Sequence, residues 1–426
     1  MLITTKTTAS EAGHTGSGIG FTRGQALTAA LLFAVSLLNY IDRQVLSVLV
    51  PVMKDQIGLT TAQYAWAVNS FLLAYGFMYT GSGVVLDRLG SRIGLALFVA
   101  CWSLASGLHA CLTGFAGLVL LRFLLGLTEP GGWTGAIKTI SERFGPLQRG
   151  LAAGIFASGA CVATLIAPPL VVFLSLHYGW RMAFLIPSLA GLAWLPLWLI
   201  VTRQPPQDAD NRARRGGLSL KEGWALLRDR RVLGYALARF FGDSTGYFLM
   251  FWIPEYLSTV KGFSFVMIGT LAWIPFLFND VGPLTGGYAS SRLIQRGFHP
   301  LLARKTIMTI APFFVAVGAL SVSATQTWTV LASLSVAAFG VGLWVGNLHA
   351  LPADAFDPRN VATVYGLAGS AGAVGGIVFN TLVGHWSASS NYTAVFAMLI
   401  LLQPLGVSGL WLFLRDPLHK GASETG

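Results

Sequence analysis

Gly83-Val-Val-Leu-Asp87-Arg88-Leu-Gly-Ser-Arg92 and Gly287-Tyr-Ala-Ser-Ser291-Arg292-Leu-Ile-Gln-Arg296 are two copies of one pattern, 204 residues apart. Each closes a long apolar stretch, and each is followed by another. A second pair repeats in the same way. Ser141-Glu142-Arg143-Phe144-Gly145-Pro146 is echoed 212 residues later by Ala353-Asp354-Ala355-Phe356-Asp357-Pro358. Two matched pairs at nearly equal offsets indicate a duplicated unit. Internal duplication of a membrane-spanning unit is the expected signature of a two-bundle transporter.

The stretches between these loops are membrane-spanning by length. A helix crossing a bilayer core needs about 20 apolar residues. Such segments lie near 26–50, 64–86, 93–113, 115–138, 151–174 and 182–202, and again near 233–257, 264–288, 306–323, 328–351, 361–385 and 392–414. The fold class is therefore all-α, with twelve transmembrane helices in two pseudo-symmetric six-helix bundles. The expected division is a tail over 1–24, a first bundle over 25–202, a linker over 203–231, a second bundle over 232–415 and a tail over 416–426. Residues 1–24 are polar and the first apolar run has full spanning length, so no cleaved signal peptide is expected.

Composition agrees. The 426 residues are 54% hydrophobic and only 11% charged, against about 25% charged in soluble domains. Fifty glycines and thirteen tryptophans suit close-packed helices and lipid interfaces. Cys101, Cys111 and Cys161 lie in apolar runs and imply no disulfide framework. The formal charge of +11 resolves by position. With the amino terminus inside, 21 of 28 Lys and Arg fall on cytoplasmic segments, and the opposite face keeps only Lys54, Arg181 and Lys261. Both termini are thus expected in the cytoplasm, in an inner (plasma) membrane. This is an insertion pattern, not a nucleic-acid patch. No metal spacing or nucleophile–base arrangement is visible. Gly131-Gly-Trp-Thr-Gly135-Ala-Ile-Lys138-Thr139 lacks phosphate-loop spacing, so an enzyme or ATP-driven pump is not expected and no cofactor is implied.

Asn39-Tyr40-Ile41-Asp42-Arg43, Leu121-Arg122 with Gly126-Leu-Thr-Glu129-Pro130, and Phe251-Trp252-Ile253-Pro254-Glu255-Tyr256-Leu257 carry a closer resemblance. With the loop after the second span, they resemble the anion:cation symporter family of the major facilitator superfamily. Leu271-Ala-Trp-Ile-Pro-Phe276, Ala303-Arg304-Lys305-Thr306 and Gly366-Leu-Ala-Gly-Ser-Ala-Gly-Ala-Val-Gly-Gly376 are most similar to its hexuronate and galactonate branch. The resemblance runs over 26–415. It implies proton-coupled uptake of a sugar acid, with Asp42 and Glu129 as proton sites. It assigns substrate binding and ion pairing to Arg43 and Arg122, and Tyr40 and Tyr75 match as well.

The residues themselves say why. Eight ionisable groups lie within the spans: Asp42, Arg43, Arg122, Glu129, Lys138, Arg239, Asp243 and Asp280. Each lone charge at mid-bilayer costs roughly 2.5–3.5 kcal/mol on insertion scales, so pairing or hydration is required. Counted from the predicted outer ends, Asp42, Arg43 and Arg122 share a level, which predicts an Asp42–Arg122 pair. Glu129 falls about 10 Å deeper, with no charge at its own level, as a proton carrier requires. Arg43 can grip a carboxylate bidentately. Asp280 and Asn347 are further candidates for the binding site, with helix–helix hydrogen bonding as the alternative. Arg239 and Asp243 are an i,i+4 pair, as consistent with structure as with substrate contact. Asp87, Arg88, Arg92, Glu142 and Asp354 are expected at a cytoplasmic gate, Asp87 facing nearby arginines and a helix amino terminus.

The expected partners are a small organic anion and the lipid bilayer, for a protein acting as a monomer. Protons are the expected coupling ion, with sodium left open. Anion exchange, export and a non-transporting sensor are the rival functions.

Overall fold

In hydrocarbon, a backbone must satisfy its own hydrogen bonds, and apolar stretches of this length do so as helices. The computed structural model describes residues 21–203, 226, 228–357 and 360–414; these are overwhelmingly helical, with no strand among them. The first half contains α1 (Arg23–Ile57), α2 (Thr61–Leu108), α3 (Phe115–Thr128), α4 (Pro130–Arg143), α5 (Pro146–Tyr178) and α6 (Trp180–Val201). The second contains α7 (Arg230–Thr259), α8 (Phe265–Leu271), α9 (Trp273–Gln295), α10 (Pro300–Val317), α11 (Leu320–Ser323), α12 (Thr327–Ala355), α13 (Val361–Ala388) and α14 (Tyr392–Phe413). Residues 1–20 of the expected first tail, the whole second tail and nearly all of the expected linker lie outside the described residues, and α1 begins at Arg23, inside the expected tail.

Ten helical stretches are long and apolar enough to cross a membrane. One of them, Thr61–Cys111, contains two crossings, because Gly90 (φ 75°, ψ 162°) breaks α2 inside the quoted signature. That φ lies where L side chains are strained, so glycine is required for the reversal. The 30-residue α7 is more polar and is not among the ten. Twelve crossings are consistent with this set. α3 and α4 share one crossing, divided at Glu129, whose N–H still reaches the Leu125 carbonyl at 3.0 Å. Pro130 then contributes no N–H.

Alternation of the crossings puts the start of α1 and the end of α14 on one face, here the terminal face; the opposite one is the far face. Side-chain bonds agree: Gln25 at the start of α1 donates to the Arg143 carbonyl at the end of α4 (3.1 Å), and Trp180 at the start of α6 donates to Gln56 at the end of α1 (2.8 Å). Within the first half α1 packs on α5 and α6, and α2 on α3, α4 and α6. In the second, α9 and α10 pack on α12, and α13 and α14 on α7. The halves meet along α1–α7, α2–α13 and α5 with α8 and α9. Large apolar side chains stand outward, among them Phe77, Leu284, Phe313 and Trp328, as a lipid-facing surface demands.

Close helix contact explains part of the glycine content. A Cβ on Gly126 would lie 2.3 Å from the Phe71 carbonyl oxygen, so α3 and α2 touch backbone to backbone. Gly126→Ala should therefore lower the melting temperature of the detergent-solubilised protein by several degrees, since overpacking costs about 1–3 kcal/mol. Gly150→Ala, in open space, should leave it unchanged or raise it; differential scanning fluorimetry compares the two.

Candidate functional site

The deepest charges meet where α1 passes the α3–α4 break. Arg43 and Glu129 form an ion pair: Arg43 Nη2 lies 2.7 Å and Nε 2.8 Å from Glu129 Oε2. Both are buried. The guanidinium is also held among rings, with its Cζ 4.9 Å from the centre of Tyr75, 5.1 Å from Tyr40 and 5.7 Å from Phe71. Such cation–π contacts attract a desolvated guanidinium. Glu129 Oε1 is buried without a hydrogen-bond partner.

This overturns two expectations. Glu129 has a charge at its own level, and it is Arg43. Asp42 does not pair with Arg122: its Oδ1 accepts from Ser106 Oγ at 2.8 Å, and no Asp42–Arg122 ion pair forms. The cause is helix length. α1 continues through Pro51 to Ile57, past the predicted end at 50. Arg43 therefore lies fourteen residues from the far end of its helix, and Glu129 fourteen from Phe115, where α3 starts. At about 1.5 Å per residue both are about 21 Å deep. Arg122, seven residues into α3, is buried higher up, with Nε and Nη2 lacking partners.

The other predicted residues are more dispersed. Asp280 on α9 accepts from Thr164 Oγ1 of α5 at 2.6 Å, a bond between the two halves. Asn347 is fully buried against Gly286 and donates to the Leu343 carbonyl at 3.1 Å, in the α9–α12 contact. Four of the five gate residues bond within their own half. Asp87 pairs with Lys138 at 2.5 Å, not with the expected arginines. Glu142 accepts from Ser91, Arg92 donates to the Leu199 carbonyl at 3.0 Å, and Asp354 pairs with Arg304. Arg88 is exposed.

A seal at the far face escaped the sequence reading. Lys54 at the end of α1 pairs with Glu255 at the end of α7, and Thr61 donates to the same carboxylate at 3.2 Å. Just below, Tyr64 donates to the Phe251 carbonyl. Trp252 donates to Asn380 (2.6 Å), which in turn donates to Asn69 (2.7 Å). All but the Trp252–Asn380 bond, which lies within the second half, join one half to the other. Among the described residues, Lys54–Glu255 is the one ion pair that does so. The signal was available, since Lys54 is one of three basic residues assigned to that face and Glu255 follows Pro254 at the end of a span. Toward the terminal face the cross-connections thin to Ser370 Oγ on the Gly76 carbonyl (3.0 Å) and Tyr79 with Tyr365 (3.3 Å).

The sequence model of the Major Facilitator Superfamily matches residues 32–380. The chain belongs to this superfamily. As a member, it is a multi-pass membrane transporter and not an enzyme. The hexuronate transporter of Escherichia coli K12 is 29% identical over 417 residues, covering 93% of this chain and 95% of its own. A probable L-galactonate transporter of the same strain is 30% identical over 345 residues, covering 77% and 76%. The superfamily fold is shared with the inward-facing crystal structure of a bacterial homologue of the human lysosomal transporter Spinster. The TM-score is 0.75 at 18% identity, over 93% of this chain and 100% of that one.

The seal generates a prediction. Glu255→Gln removes the charge that holds Lys54, so the far ends of α1 and α13 should separate more often. Spin labels at Asp55→Cys and Ser389→Cys, in a background without Cys101, Cys111 and Cys161, should show a larger long-distance population by pulsed electron resonance. An unchanged distribution counts against the seal.

Proposed function

We propose that the protein is a proton-coupled symporter that takes up a small organic anion, a sugar acid of the hexuronate or aldonate class, by alternating access. The observation that carries this reading is the buried Arg43–Glu129 pair. Removing one partner of such a pair leaves an uncompensated charge, at a cost of about 3–5 kcal/mol. Protonating Glu129 has the same effect on Arg43. The guanidinium then needs another anion, and a substrate carboxylate matches its two-pronged donor edge. One proton and one carboxylate thus enter together or not at all. The Tyr40 and Tyr75 rings, packed on Arg43, bring two hydroxyls near a sugar. Asp42 serves as the second proton site, with one oxygen on Ser106 and the other unpartnered. Arg122, with two unpartnered nitrogens, adds positive charge; Asp280 and Asn347 complete the set from the second half.

The basic-residue bias supports a terminal face in the cytoplasm of a plasma-membrane protein. The far-face seal then corresponds to a state closed to the outside, and opening toward the cytoplasm is favoured by gate residues that bond within their own halves. Transport by relatives named for hexuronate and L-galactonate supports the substrate class.

Reconstitution in liposomes tests this reading. An inward proton gradient should accumulate labelled D-galacturonate or D-galactonate about tenfold per pH unit for one proton per anion. Accumulation that follows a sodium gradient, or ignores the proton gradient, overturns proton symport. Glu129→Gln should keep substrate exchange and lose gradient-driven accumulation. Arg43→Lys, which keeps the charge but not the planar fork, should raise KM by about ten- to a hundredfold.

A further inference from the structure

We infer that Asp280 is a specificity residue that counts the carboxylates of the substrate. It meets the end of the sugar opposite the carboxylate held by Arg43, accepts a hydroxyl there and turns away a second carboxylate. Hexuronates and aldonates are then taken, and aldarates, which are acids at both ends, are refused. This rests on the transport reading above and narrows it. Asp280 lies within a span and is partly exposed, and among the described residues no ion pair neutralises it. Its hydrogen-bond partners are neutral. Thr164 Oγ1 donates to Oδ2 at 2.6 Å, and the Cys161 thiol and the Asn279 amide bond the same carboxylate. The α5–α9 contact does not need a charge, since an amide or hydroxyl oxygen can accept from Thr164 as well. An unpaired charge within a span is costly, and it marks function by default.

Side, level and charge place this carboxylate beside the Arg43 site. The lipid side of α9 is marked by Val281 and Leu284, 40% and 76% exposed, and its α12 side by Gly282 and Gly286. With 3.6 residues per turn, Asp280 stands on a third side, the one that meets α5. α1 and α5 both start at the terminal face, where Gln25 donates to Gln148 at 2.9 Å. Further in, a Cβ on Gly159 would lie 2.3 Å from the Phe33 carbonyl oxygen and 2.9 Å from Ser36 Cβ. Thr164 is five residues beyond Gly159, and Tyr40 is four beyond Ser36. At about 1.5 Å per residue, the Thr164–Asp280 bond therefore lies within about 2 Å of the Tyr40 level, and Arg43 about 4.5 Å further in. Tyr40 packs on Arg43 and is also within electrostatic reach of Asp280. Five carbon–carbon bonds of about 1.5 Å give a six-carbon acid a length of about 7 Å, so a sugar held by Arg43 presents its other end to Asp280. A hexuronate ends there in its C1 hydroxyl and an aldonate in its C6 hydroxyl. Both can donate to a carboxylate, which only accepts. An aldarate ends in a second carboxylate, which offers no proton and repels the first.

The test is competition without a gradient. In proteoliposomes held at one neutral pH on both sides, exchange of labelled D-galacturonate is inhibited with unlabelled D-galacturonate, D-galactonate or galactarate. Wild type should bind galactarate about a hundredfold more weakly than D-galacturonate, the scale on which opposed like charges act in a binding site. Asp280→Asn keeps an oxygen for Thr164 and removes the charge, and should narrow that ratio by about tenfold or more. An unchanged ratio would overturn the proposal while leaving the transport reading intact, and so would a wild type that binds galactarate as well as D-galacturonate. Absence of D-galacturonate exchange by wild type would remove both. Should Asp280→Asn fail to fold or to exchange, the monoamide of galactarate makes the same change on the ligand. Wild type should bind it about tenfold more tightly than galactarate; equal binding counts against the proposal.

Discussion

A guanidinium at the middle of a membrane protein must have an anion beside it. Arg43 cannot shed its charge, it is buried, and its counter-charge is Glu129. Neutrality in a poorly polarisable interior is therefore maintained by one acid that can take up a proton. The surrounding architecture maintains that condition. Tyr40, Phe71 and Tyr75 cover the guanidinium, and Gly126 lets α3 approach α2 closely enough to bring the acid into the same layer.

The second half repeats the chemistry with different parts. Arg239 and Asp243 come from a single helix, whereas Arg43 and Glu129 come from two. The difference matters physically. An i,i+4 pair is maintained by its own helix and survives rearrangement of its neighbours. A pair between helices reports on their separation. The far-face seal of Lys54 and Glu255 is likewise interhelical, and it spans the two halves. Of these pairs, Arg43–Glu129 reports on packing inside the first half and Lys54–Glu255 on the distance between the halves.

Much of this was legible in the sequence. Duplication of the Asp87 and Ser291 loops gave the two-part architecture, and the apolar spacing gave the crossings. Charge scarcity singled out Asp42, Arg43, Arg122 and Glu129. Their pairing was not legible, because depth was counted from apolar boundaries, and α1 does not end where its apolar run ends. Pro51 suggests a stop, yet the helix passes through it to Ile57, and the shift carries Arg43 from the level of Arg122 to that of Glu129. Lys54 and Glu255 were missed for a related reason. Each lies at the edge of a span, where charge is unremarkable until the helices are brought together. Asp87 was expected to bond forward to arginines; Lys138, nine residues and about two and a half turns beyond Glu129, reaches it instead.

Glu129 occupies the joint between α3 and α4. Because Pro130 has no N–H, the Gly126 carbonyl lacks its usual donor four residues on, and the two parts of this crossing are linked by one bond fewer than a continuous helix would have. Flexing there breaks no helical hydrogen bond at that position. The side chain at the pivot is the one whose charge is set by a proton, so a change of one electronic charge acts at the mechanically softest point of its helix, with the length of α4 as the lever that carries the motion to the terminal face.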